Sequence, residues 1–294
     1  METFAFLKTM NNQTQRLSSF VVAFISCAAI AAAPARAQGQ ESSGPDRVAY
    51  TTDPARPTRV TASLVNGGIT VKAYDGKEVV VEARARTHDR DSSRSESGNM
   101  KRIVVSSTGL SVEAENNEVH VSTDSYARPI DLTITVPVHT SLKLSAVNDG
   151  NIMVTGVDGE LDVNDVNGSV TLNNVSGSAV AHALNGRVLV TFNHINQKPM
   201  AFSSLNGDID VTFPADLKAN LTLKSDRGEI FSDFDVQVQA SAPKQTVEDG
   251  RKDGGKYVVK IDRAVHGTIG GGGPEMQFTN FNGSIYIRKA GAPR

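Results

Sequence analysis

The sequence predicts an all-β fold: a single-domain β-solenoid, a stack of short coils like that of a parallel β-helix. The main observation is a nine-residue period. Asp149-Gly150, Asp158-Gly159, Asn167-Gly168, Ser176-Gly177 and Asn185-Gly186 head five successive copies. Apolar residues follow three and five positions after each leading polar residue, and a fixed period of this kind marks a repeat architecture. The second observation is composition. The 294 residues include no Trp and only 5% aromatics, while Gly, Asn, Asp, Thr and Val recur throughout. That mixture suits strands joined by tight turns. The third is the lack of any convincing amphipathic helical period.

Taken in order, the elements begin with an export signal. Lys8 and Arg16 precede an apolar run from Phe20 to Ala33, and Ala35-Arg36-Ala37 fits a small-x-small cleavage site. Residues 1–37 therefore read as a signal peptide, with Met10 an alternative start. The run is about 14 residues, short of the roughly 20 that span a bilayer, so no transmembrane segment is expected in the mature chain. A second reading is a lipoprotein acylated at Cys27, the single cysteine. Residues 38–58, rich in Gly, Ser and Pro, read as a flexible leader. The repeat domain is expected over 59–289.

Within it, Thr61 to Val65 and Ile69 to Val71 flank Asn66-Gly67-Gly68 as two short strands. Glu78 to Ala85 alternates as another, and the charged, Ser-rich stretch from Thr87 to Lys101 reads as a surface excursion. Arg102–Ser106, Leu110–Ala114 and Glu118–Ser122 are short strand candidates. Ile130, Leu132, Ile134 and Val136 share one face of a clear strand. Beyond Val190 the period loosens. Asn206-Gly207 and Asp226-Arg-Gly228 match the pattern 21 and then 20 residues on, and Asp235 to Gly255 is a second charged break. Tyr257–Ile261, His266–Ile269, Met276–Phe278 and Asn282–Ile287 close the chain as β structure.

Each copy repeats one physical logic. The pairs Ile152/Val154, Leu161/Val163, Val170/Leu172, Ala179/Ala181 and Val188/Val190 fall on one strand face, with Met153, Asp162, Thr171, Val180 and Leu189 pointing out. The first, second, third and fifth pairs are the expected core. Glycines 67, 150, 159, 168, 177, 186, 207 and 283 (Gly67, Gly150, Gly159, Gly168, Gly177, Gly186, Gly207, Gly283) are the expected structural turns, where positive φ is cheap. Residue eight, namely Val157, Val166, Val175 and Leu184, is expected to face inward. Two copies make an 18-residue coil. An antiparallel meander or sandwich is the alternative, because Asn-Gly is a strong hairpin signal.

Composition also bounds function. Without Lys8, Arg16, Arg36 and Glu2, 27 basic and 31 acidic residues remain, a net charge of −4 with the signs interspersed. Nucleic acid is not an expected partner. With Cys27 removed there is no thiol nucleophile and no disulfide. No Gly-x-Ser-x-Gly elbow, His-Glu-x-x-His or phosphate loop occurs. His182 and His194, with Asp165 as the near carboxylate, read as separate residues rather than a metal set. Asp208 and Asp210 could serve glycoside hydrolysis at a suitable separation, but their solvent-facing positions make solubility of an acidic repeat the stronger explanation. The calcium-binding nine-residue roll needs Gly-Gly-x-Gly-x-Asp, which is missing here. No catalytic residue, metal or cofactor is expected, and scarce aromatics argue against an aromatic core or sugar cleft.

The Asn-Gly-x-Ile-x-Val units, Asp131-Leu-Thr-Ile-Thr-Val-Pro137 and the closing Asn282-Gly-Ser-Ile-Tyr-Ile-Arg288 resemble the bacterial DUF4097 family of adhesin-type β-strand repeat proteins. The resemblance covers roughly Val60 to Arg288. It implies an all-β repeat fold on exported or membrane-associated proteins and supplies no catalytic or ligand-binding residues. The expected function is a non-catalytic structural or binding role in the cell envelope, secreted to the periplasm or cell surface, with an unidentified envelope protein or glycan as partner. The alternative is a β-helical polysaccharide hydrolase or lyase.

Overall fold

Alternating side chains keep most of this chain extended, and short corners fold it back on itself. The computed structural model describes residues 45–86, 108–124, 128–239, 244–249, 257–262 and 264–292, all within the unit Ser42–Arg294. The signal segment, Cys27, residues 38–44, the excursion from Thr87 to Lys101 and the strand candidate Arg102–Ser106 lie outside the described residues. The first strands are β1 (Asp46–Thr51), β2 (Thr58–Asn66), β3 (Ile69–Tyr74), β4 (Glu78–Ala85), β5 (Leu110–Glu115), β6 (Glu118–Thr123), β7 (Ile130–Pro137), β8 (Thr140–Asn148) and β9 (Ile152–Thr155). The repeats form β10 (Asp158–Asp165), β11 (Val170–Ala183), β12 (Val188–Ile195), β13 (Met200–Asn206) and β14 (Ile209–Phe213). The remainder are β15 (Ala219–Ser225), β16 (Ile230–Ser232), β17 (Gln237–Gln239), β18 (Lys244–Asp249), β19 (Tyr257–Asp262), β20 (Val265–Ile269), β21 (Glu275–Asn282) and β22 (Ile285–Lys289).

These strands build a two-walled solenoid. Each coil places one strand in a front wall and the next in a back wall. The front wall stacks β6, β2, β8, β10, the second half of β11, β13, β21 and β15 in parallel. The back wall stacks β7, β3, β9, the first half of β11, β12, β14, β22 and β16, also in parallel. Val170 pairs with Val188 and Leu161 with Ala179, so one coil is two nine-residue copies. Antiparallel pairing is confined to the ends and the β18–β19 ribbon: β5 on β6, β4 on β7, β1 on β4, β20 on β15 and β17 on β20. The parallel stack therefore holds where the repeats lie, and the meander alternative describes only the flanks.

The coils do not stack in chain order. The coil β2–β3 lies between β6–β7 and β8–β9, and β21–β22 lies between β13–β14 and β15–β16. Asn282 thus takes the place beside Asn206 that sequence spacing gives to Asp226. Asp46–Thr51, read as leader, forms β1 instead. Its side chains are mostly exposed, so only backbone pairing with β4 recruits it, and hydrophobic period could not reveal it. Likewise β17 and β18 fall inside the stretch read as a charged break.

The core is a file of aliphatic side chains between the walls. Ile152, Val154, Val163, Val170, Leu172, Val188 and Val190 are fully buried and Leu161 is 3% exposed. Among the eighth residues, Val157 and Val175 are buried, but Val166 and Leu184 face outward. They follow the inward Asp165 and Ala183, and period two turns the next residue over. Composition also misleads about aromatics. Phe192 stacks on Phe213 at 5.3 Å and Phe202 on Phe278 at 5.1 Å, an aromatic cluster filling the later coils. Four inward rings, Phe192, Phe202, Phe213 and Phe278, suffice to fill these layers. Phe192 also shares its coil with Ala179 and Ala181, so a large ring on one wall accompanies the small side chains of the other.

Candidate interaction surface

The front wall turns into the back wall at a tight corner, and there the sequence signal is strongest. Asn66, Asn148, Asn167, Asn185, Asn206 and Asn282 stand on successive coils. Asn167 Nδ2 donates to Asn148 Oδ1, Asn185 to Asn167 and Asn206 to Asn185, each at 2.8 Å; Asn282 donates to Asn206 at 3.3 Å. An amide carries both donors and acceptors, so one residue type can continue such a ladder through every coil. Beside it runs a column of glycines. A Cβ on Gly168 would lie 1.9 Å from the Gly150 carbonyl oxygen, on Gly186 2.1 Å from that of Gly168, and on Gly207 2.2 Å from that of Gly186. Close backbone approach, rather than positive φ, requires glycine at these places. Positive φ applies at Gly67, Gly177 and Gly283. Gly159 and Gly177 lie within β10 and β11 rather than in turns.

A third column follows on the back-wall side. Asn151 Oδ1 accepts the Ser169 N–H at 2.8 Å, Asp208 Oδ1 accepts the Ser284 N–H at 3.0 Å, and Asp131 Oδ1 accepts the Gly68 N–H at 3.1 Å. Each side chain thus satisfies backbone of the neighbouring coil. Arg86 clasps Asp131 through Nε at 2.7 Å and also donates to the Asp149 carbonyl. Burial opposes ionisation of Asp131, but Arg86 and the Gly68 N–H together hold its carboxyl below the ordinary value. The Ser284 N–H, with Arg187 and against partial burial, does the same for Asp208. Asp210 is paired with Arg288 at 2.7 Å. Asp208 and Asp210 are therefore committed to hydrogen bonds and ion pairs, and neither is placed as a free acid.

On the front wall, immediately before the asparagines, lies an outward apolar row: Val65, Val147, Val166, Leu184, Leu205 and Phe281. Leu205 and Phe281 are 38% and 40% exposed and the others are partly exposed. Coil stacking spaces these side chains about 4.8 Å apart. Two surface recesses lie among the described residues. One of about 200 Å³ is lined by Asn220, Thr222, Gln239, His266, Thr268 and Glu275; another of about 500 Å³ lies near Pro54, Tyr74, Lys77 and His139.

His182 Nδ1 lies 2.6 Å from Ser203 Oγ on the outer face, and His194 is exposed. Asp165 points the other way, into the core. No group of three metal-ligating side chains comes together among the described residues. Pattern reasoning picked out Asp165 only as a carboxylate near the histidines and missed its inward position. The side chain is fully buried between Ala146 and Ala183, and neither carboxyl oxygen has a hydrogen-bond partner. The nearby N–H groups of Asn167 and Ile152 favour its charge only weakly, since they bond to the carbonyls of Val147 and Ser169. Burial pushes its pKa up to about 6. The available signal was its parity: Asp165 stands two residues after Val163, at an inward position.

Comparison with known proteins adds the family. No curated protein matches the chain significantly. A provisionally named cell adhesion protein from Clostridium sporogenes ATCC 15579 is 9% identical, covers 83% of this chain and 99% of its own, and has a TM-score of 0.39. A provisionally named adhesin from Bacteroides fragilis NCTC 9343 is 14% identical, covers 84% and 98%, and has a TM-score of 0.33. No helix among the described residues is long and apolar enough to cross a membrane. The family model of Toastrack DUF4097 matches residues 58–270, and the chain belongs to that family.

Proposed function

We propose that this chain is an exported, non-catalytic β-solenoid of the bacterial envelope that binds an extended glycan or protein along its outer rows. The observation that carries this reading is the apolar row from Val65 to Phe281, one side chain on each of six successive coils beside the asparagine ladder. A ligand with its own repeat can meet such a row at several coils together, so weak contacts add along its length. Residues 1–37 serve as the signal and are removed after Ala37. Asp208 and Asp210, the acids considered for the hydrolase or lyase alternative, are tied to arginines and to backbone, which favours the binding reading.

The test is affinity capture with residues 38–294 as bait against envelope extract, beside a Leu184→Lys/Leu205→Lys variant. Recovery of one glycan or protein by the parent chain, with loss in the variant, is the expected result. Equal recovery by both would remove the apolar row from the binding surface. N-terminal sequencing of the exported protein should begin at Gln38.

A further inference from the structure

The two walls end at different heights. Past the last full coil, β15–β16, the front wall continues for two more strands, β20 and then β17, while among the described residues the back wall ends at β16. The inner face of this overhang is apolar and partly uncovered. Val238 pairs with Gly267, and directly opposed residues share a face. Gly267 and Ile269 are buried on the core side, so Val238 belongs to that side too. Yet Val238 is 64% exposed, the highest value for a large apolar side chain among the described residues. Val265, on the same face by alternation, is 39% exposed. Phe234 and Val236, where the chain crosses from β16 to β17, pack against the core beside them. Phe231 of the edge strand β16 is 46% exposed and stacks on Tyr286 at 5.2 Å.

The edges differ in charge as well. At the opposite end the outermost strands carry Asp46 and Arg47 in β1 and Glu113 and Glu115 in β5. Charged side chains on an edge strand oppose pairing with another chain. The edges at the overhang are Ile-Phe-Ser in β16 and Gln-Val-Gln in β17, without a charge. Among the described residues the outermost strands at one end carry charge and those at the other do not, the nearest charges to β16 being the flanking Glu229 and Asp233.

We propose that the overhanging end is a self-association surface, and that its occupant is the same end of a second copy of this chain. The fit is one of strand positions. A two-fold axis running parallel to the strands puts the partner's overhang into the two positions missing from this back wall. The second copy's β16 then lies beside this chain's β17. Both walls become continuous, and the uncovered valines of the two copies meet in a shared core layer. Such an isologous contact closes at two chains. Head-to-tail stacking would leave one back-wall position vacant and set the neutral edges against charged ones.

Sedimentation equilibrium of residues 38–294 tests this at concentrations up to about 100 µM. The expected result is a monomer–dimer equilibrium with no larger species. Val238→Lys should weaken it by about tenfold or more, while Glu113→Gln at the far end leaves it unchanged. Val238 is already exposed, so the variant should keep the parent's circular dichroism and unfolding midpoint. A chain that stays monomeric throughout, open-ended growth, or equal association of the Val238→Lys variant would each overturn the proposal. Phe231→Lys gives a second, independent disruption at the partner edge and should have the same effect.

Discussion

The two corners of the coil begin from similar dipeptides and become different structures. At the tight corner, Asn-Gly pairs stack into an amide ladder and a glycine column, with two to four residues between the strands in seven coils. At the open corner, Asp158-Gly159 starts β10, and Ser176-Gly177 is absorbed into β11, which runs from Val170 to Ala183. Length variation collects there. The connection ranges from none within β11 to the long excursions 75–117 between β3 and β6 and 233–274 between β16 and β21. The tight corner sets register, and the open corner tolerates detours. Asn66 and Asn148, or Asn206 and Asn282, are far apart in sequence yet adjacent in the ladder. Whatever the detour, the returning chain finds its rung.

The sharpest contrast should come from glycine. Gly186→Ala places a Cβ 2.1 Å from the Gly168 carbonyl oxygen, so backbone of a neighbouring coil must move. A loss on the order of 3–5 kcal/mol is expected in denaturant unfolding. Gly156→Ala at the open corner meets only the Ala73 side chain at 3.6 Å and carries the cost of φ +75° alone, about 1–2 kcal/mol. Similar losses at both sites would mean that the glycine column does not set coil spacing.

Asp165 comes next. Ser204 and Asn280 occupy the matching inward place on later coils, and each donates to the glycine carbonyl of the coil before it, at 2.9 Å. An ionised Asp165 can donate nothing. Its folded pKa, about 6, lies above the ordinary 3.8, so the folded state holds the proton more tightly than the unfolded state does. Its contribution is therefore favourable at low pH and is lost as pH rises from 3.8 through 6. The loss is about 3 kcal/mol by pH 7. Asp165→Asn should remove that slope and unfold later than the parent at pH 7. Comparing the two proteins at each pH cancels the opposite trend from Asp131 and Asp208. Parallel stability curves for parent and variant would show that Asp165 is not held neutral.

The ladder itself should be worth less. Asn185→Ala removes two amide bonds, but Asn167 and Asn206 are exposed and can turn to water. The expected cost is about 1–2 kcal/mol. Asn193→Ala, which removes one bond to the Asn174 carbonyl at 3.0 Å, should cost about half as much. Chemical unfolding of the two variants side by side would show whether amides on neighbouring coils reinforce one another.

What the sequence made legible follows from local physics. Period-two alternation shows which face is inward, and the nine-residue spacing shows that copies stack, because both are consequences of strand geometry. The two corners could not be told apart that way, since Asn167-Gly168 and Ser176-Gly177 carry similar turn chemistry. The difference is made by the next coil, where Asn148 and Asn185 flank Asn167 and nothing equivalent flanks Ser176. The coil order was equally hidden. Nothing local to Asn282 shows that it joins Asn206 after a long excursion. Arg86 escaped notice because its partners, Asp131 and Asp149, come from other coils.

The smallest effect should come from lengthening the open corner. The link between β12 and β13 is 196–199, and its Lys198 N–H is tied only to Asn196 Oδ1, while the Lys198 side chain reaches Glu160. Inserting Gly-Ser-Gly-Ser after Gln197 should cost under about 1 kcal/mol, since closure entropy grows slowly with loop length. The inward positions of Phe192 and Met200 on either side stay in register, because β12 and β13 are each aligned by their own parallel neighbours. The same insertion between Asn185 and Gly186 separates the ladder from the glycine column and should cost several times more. If the open-corner insertion proved equally damaging, register would have to reside in the whole coil rather than at its tight corner.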